Sequence, residues 1–130
     1  IKDGKILLVQ ESTDSCWALP GGWADVGDVP SEVATRECKE ESGFDVKPLK
    51  VIGVFDANRI GGKLEFFHAF KIIFLCELVS GEATPSDETL DVQFFDFNNL
   101  PSLSLNRTNE KHLNEIKLHL TNPERKTFFD

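Results

Sequence analysis

Arg36, Glu37, Glu40 and Glu41 fall within six consecutive positions. On a helix turning about 100° per residue, the three glutamates share one face. Carboxylates crowded in this way repel one another, and like charges at i,i+4 destabilise a helix. A fold that gathers them has a use for a cation at that face. The stretch from Gly22 to Phe44 carries six acidic and two basic residues, half of the chain's net charge of −8 in 23 positions.

The elements around this cluster read as loop, helix, loop. Pro20-Gly21-Gly22 breaks the short apolar run Trp17-Ala18-Leu19. Trp23 to Gly27 is expected as a loop, with Asp28 as the N-cap and Pro30 in the first helical turn. Val33, Ala34 and Cys38 supply the apolar side, and Gly43 ends the helix. Before it, Lys2-Asp3-Gly4-Lys5 reads as a hairpin turn and Ile6 to Gln10 as a buried strand whose preceding partner lies outside the chain. Glu11 to Ser15 reads as a polar loop. After the helix, Lys50 to Phe55 and Val92 to Phe97 read as strands. Phe66 to Leu78 is the longest apolar stretch, closed by Ser80-Gly81-Glu82. A last helix is expected over Thr108 to Leu120, with Leu113, Ile116 and Leu120 inward and Asn122-Pro123 ending it. The order predicts an α+β domain with a mixed sheet.

Bulk properties bound the function. A chain of 130 residues with 40% hydrophobic content is one domain with a real core. Its apolar runs are too short to span a bilayer, and no signal peptide is visible. With no methionine in the chain, Ile1 reads as a position inside a longer product, an N-terminal portion being absent. Three scattered cysteines, Cys16, Cys38 and Cys76, suit a reducing cytoplasm and read as small buried hydrophobes. A pI near 4.8 argues against nucleic acid and anionic membrane as partners. It leaves room for a small phosphate compound if a metal ion inverts the local charge.

Gly22, Asp28 and the run Arg36-Glu37-Cys38-Lys39-Glu40-Glu41-Ser42-Gly43-Phe44 resemble the box of the Nudix hydrolases, G-x5-E-x7-R-E-U-x-E-E-x-G-U, where U is bulky and apolar. Asp28 replaces its first Glu and Cys38 its first U. Trp17 to Gly22 and the strand-rich segment after the box extend the likeness over most of the chain, residues 1–130. GGWADVGD, Phe74-Leu75-Cys76 with Gly81-Glu82-Ala83, Phe94-Phe95 and Leu100 to Ser104 look like a bacterial branch that includes CDP-choline pyrophosphatase. That branch often has a His-Pro-type segment after the Phe55-Asp56 strand; Asn58 to Lys63 departs from it.

The resemblance implies a Nudix fold, a mixed sheet sandwiched between helices. It also implies hydrolysis within the diphosphate of a nucleoside diphosphate derivative, CDP-choline-like, releasing a nucleoside monophosphate. ADP-ribose or nucleotide-sugar cleavage, removal of oxidised nucleotides, and a non-catalytic nucleotide sensor are the alternatives. Mg²⁺, with Mn²⁺ as substitute, is the implied cofactor, because carboxylate oxygens suit a hard ion. By box position Glu37, Glu40 and Glu41 are the implied ligands, with a Gly22 carbonyl as a further one. Arg36 is expected to orient these carboxylates, and Asp28 to bond into the loop–helix–loop. Glu88 is the candidate general base, Glu41 its competitor. Trp23 and either Phe55 or Phe66 are candidates to stack on a base, and Arg107 to meet a phosphate or lie at the surface. His68 reads as a core histidine, His112 and His119 as surface residues. Phe128-Phe129 is expected against a second subunit of the homodimer that the branch implies.

Overall fold

The computed structural model describes residues 1–57 and 68–130. The elements run β1 (Ile6–Glu11), β2 (Trp17–Ala18), α1 (Pro30–Ser42), β3 (Phe44–Asp56), β4 (Phe70–Gly81), β5 (Thr89–Phe95), α2 (Glu110–Thr121) and β6 (Phe128–Phe129). The α+β class holds, with the strands divided between two three-stranded sheets. One has the order β2-β1-β5 and is antiparallel; the other, β4-β3-β6, is mixed, since β6 runs parallel to β3. The first strand follows a tight turn, with Asp3 and Gly4 at positive φ and Lys2 and Lys5 exchanging backbone hydrogen bonds. Its neighbours in the described chain are β2 and β5.

The continuous apolar run of β1 is explained by burial on both faces. Ile6 and Leu8 join Trp17, Ile52, Phe55, Ile73, Leu113 and Ile116 in one core between the two sheets and α2. Leu7 and Val9 join Cys38, Phe44 and Val92 in a second core beneath α1. Both faces of β1 are thus covered, and α1 packs on the second core through Cys38, on the side next to its glutamates.

Several local expectations change. Glu11 belongs to β1 and is 2% exposed, rather than opening a polar loop. The N-cap of α1 is Val29, without a side-chain bond, because Asp28 is engaged elsewhere. Gly43 does end α1, at φ 83. The second helix begins at Glu110, where Asn109 and His112 form a reciprocal capping box. That box and the spacing 112, 115, 116, 119 turn both histidines inward, and neither is a surface residue: His112 and His119 are 0% and 2% exposed. Burial away from water pushes His112 down to about 4. His68, by contrast, is exposed and lies 3.4 Å from Asp56 as an ion-pair partner. Phe128, partly buried, stacks on Phe55 at 5.2 Å against the core, while Phe129 remains exposed. Phe66 and the Asn58 to Lys63 departure lie outside the described residues. Cys38 is buried, Cys16 and Cys76 partly so, and all three are free thiols.

Candidate active site

One turn of the chain and one helix face make the site. Pro30 and Gly43 bound α1, and its length places Glu37, Glu40 and Glu41 along a cleft of about 500 Å³. Gly21, Gly22, Trp23 and Asp25 form one wall, Ser86, Asp87 and Glu88 another, and Arg107 closes an end. Six carboxylates therefore face a single cationic side chain among the described residues that line the cleft.

The close approach of the Gly21-Gly22 turn to α1 has a steric cause. A Cβ at Gly22 would sit 2.5 Å from the Glu37 carboxylate carbon, so only glycine permits this contact. The Gly21 amide donates to Glu41 Oε2 at 3.1 Å, and Arg107 Nη2 donates to the Gly21 carbonyl at 2.7 Å. The opposite wall is tied to the C-terminal end of α1. Thr84 N donates to the Ser42 carbonyl at 2.8 Å, and Thr89 Oγ1 to the Glu41 carbonyl at 2.9 Å. Ser12 N donates to the Glu88 carbonyl at 3.0 Å, fixing the Glu88 main chain to the end of β1. Its side chain stays exposed.

Burial shifts the carboxyls around the cleft upward. Burial pushes the Glu41 carboxyl up to about 7, although the Gly21 amide and Arg107 oppose the shift. Glu37 is also raised, by burial first and by Glu40 second. Glu11 is raised by burial, with Arg107 opposing, and its Oε1 is buried without a hydrogen-bond partner.

These features fit a divalent cation. The donors are oxygens only, they are short of positive charge, and the Gly22 cradle brings backbone against Glu37. Among the described residues no three Asp, Glu, His or Cys side chains converge closely enough to enclose a metal ion.

The expected residues separate into two groups. Glu37, Glu40, Glu41, Gly22, Glu88, Trp23 and Arg107 share the cleft, Trp23 being 69% exposed. Arg36 does not orient the glutamates: its Nη2 donates to Asp28 Oδ2 at 3.0 Å, outside the cleft. Phe55 is 1% exposed and belongs to the core, so it cannot stack on a base. Sequence reasoning missed Asp25, Ser86, Asp87 and Glu11. A carboxylate two positions after the apolar run Ile6 to Val9 was the available signal for Glu11.

The NUDIX domain family matches residues 1–116, and this chain belongs to that family. It is similar to an ADP-ribose pyrophosphatase of Methanocaldococcus jannaschii, 36% identical over 109 residues, which cover 79% of this chain and 61% of that protein. Among solved structures, an ADP-ribose pyrophosphatase of Streptococcus suis is 35% identical with a TM-score of 0.86, covering all of this chain and 92% of the other. A UDP-X diphosphatase is 34% identical with a TM-score of 0.87, covering all of this chain and 63% of the other. The chain spans about three fifths of the length of the first curated relatives it matches. Among the described residues no helix is long and apolar enough to cross a membrane.

Proposed function

We propose that this protein hydrolyses the diphosphate linkage of a nucleoside diphosphate derivative with the aid of Mg²⁺ or Mn²⁺. The observation that carries the reading is the convergence of Glu37, Glu40 and Glu41 from α1 with Glu88 and Arg107 around one cleft. Glu37, Glu40 and Glu41 would hold the cation, with the Gly22 carbonyl beside them. A bound divalent ion supplies neutralisation of phosphate charge and activation of water.

The chain's own residues do the rest. Among the described residues that line the cleft Arg107 presents the one guanidinium, and it is suited to a phosphate oxygen. Trp23 offers an exposed aromatic surface for a base or sugar. Glu88, exposed on the wall facing α1, is placed to accept a proton from water, the role of a general base. Glu41 is less suited to that task, since it is buried and its Oε2 already accepts from the Gly21 amide.

ADP-ribose and UDP-linked compounds stand first as substrates, because proteins named for them are similar over all or most of the chain. CDP-choline stands behind them, supported by the sequence likeness alone. The test is product analysis with ADP-ribose, UDP-sugars, CDP-choline and nucleoside triphosphates, with Mg²⁺ and with EDTA. EDTA-sensitive release of a nucleoside monophosphate is expected from at least one diphosphate derivative. Tight nucleotide binding with no turnover of any compound would establish the sensor instead.

A further inference from the structure

The most fully built group at the cleft, beyond the helix carboxylates, is the ion pair of Glu11 and Arg107. Arg107 Nη1 donates to Glu11 Oε2 at 3.0 Å, and Nη2 to the Gly21 carbonyl at 2.7 Å. The reach to Glu41 Oε1 is longer, 3.4 Å. Hydrogen bonds of this type favour about 2.7–3.2 Å, so the two short contacts hold the guanidinium and the third is weak. The Arg107 main chain is equally fixed. Its carbonyl accepts from the Lys71 ammonium, and its amide donates to the Ser104 carbonyl at 2.9 Å.

We propose that Glu11 is a positioning residue: it retains Arg107 beside the Gly21 carbonyl and so keeps the Glu41 carboxylate open to a divalent cation. The inference rests on the cation reading given above. Glu11 is buried, and its second oxygen has no hydrogen-bond partner, so its polar hold is directed at Arg107. With the Glu11 charge removed, Glu41 becomes the carboxylate next in reach of the guanidinium. A small side-chain rotation closes that gap and forms a charge-assisted pair that occupies the oxygens a metal ion needs. A role confined to structure would lower stability and leave cation affinity unchanged.

The experiment is calorimetric titration with Mn²⁺ of the wild type, Glu11→Gln, Arg107→Gln and the double variant. Glu11→Gln is expected to bind Mn²⁺ roughly fivefold to tenfold more weakly, the loss of one charge-assisted contact. The double variant is expected to return to within about twofold of the wild type, since no guanidinium remains to compete. Equal affinity in the wild type and Glu11→Gln overturns the inference, as does a double variant as weak as Glu11→Gln. If Glu11→Gln does not fold, Arg107→Gln alone decides: unchanged or tighter Mn²⁺ binding supports the inference, and weaker binding overturns it. A wild type that binds no Mn²⁺ removes the cation reading itself, which the other outcomes leave standing.

Discussion

Arg36 and Asp28 are joined through one carboxylate oxygen: Asp28 Oδ2 accepts from Arg36 Nη2 and from the Asp25 amide, each at 3.0 Å. That oxygen closes the turn before α1 and ties it to the helix more than a turn further on. Arg36 is exposed and Asp28 partly so, and surface pairs of this kind contribute little to stability. Asp28→Ala should therefore leave the melting temperature almost unmoved while lowering turnover severalfold, because the Trp23–Asp25 wall loses its anchor. Scanning fluorimetry beside steady-state kinetics checks this; a large fall in melting temperature with full turnover contradicts it.

Gly22→Ala tests the steric cradle. The added methyl must displace the Glu37 carboxylate, while the backbone there needs no positive φ. Stability should fall by no more than about 1 kcal/mol, whereas Mn²⁺ affinity and kcat should each fall at least roughly tenfold, as expected when a ligand is misplaced. Calorimetry and kinetics measured on one preparation separate the two effects.

Glu41→Gln should separate stability from function through pH. The folded state raises the Glu41 carboxyl to about 7 from an ordinary 4.5, so folding favours its protonated form. The associated stability is present below about pH 4.5 and is lost as pH rises toward 7. An uncharged amide at this position carries no such dependence. In EDTA the variant should melt above the wild type at pH 8, and the gap should close by about pH 4.5. Turnover with Mg²⁺ should fall by orders of magnitude, since the proposed cation site loses a charge. A melting gap that does not vary with pH removes Glu41 as its source.

Glu88→Gln addresses the proton acceptor. Its exposed side chain and its separately anchored main chain predict an intact fold. If Glu88 takes the proton, kcat should drop about 10²- to 10⁴-fold with Mn²⁺ affinity little changed. Unaltered kcat assigns the proton to another group.

The helix cluster was legible because it is local: glycines punctuate it, and α1's periodicity sets which side chains share a face. The strands were legible as apolar runs, but runs do not say which wall a residue meets. Phe55, a plausible base-stacking aromatic by type, is committed to the core by Phe128, which arrives on a parallel strand 73 positions later. The histidines of α2 were misread because a capping bond and a buried stripe depend on packing against β3. Glu11 and Arg107 are 96 positions apart, a separation at which spacing carries no information.

That separation also orders events in time. Glu41 precedes Arg107 by 66 positions, so a ribosome adding about 5–20 residues per second exposes the glutamate helix for on the order of ten seconds before its internal counter-cation is made. During that interval the three glutamates lack Arg107, and Arg36 and Lys39 are the only cations of their own helix. Dissolved magnesium can therefore meet this helix before the cleft exists.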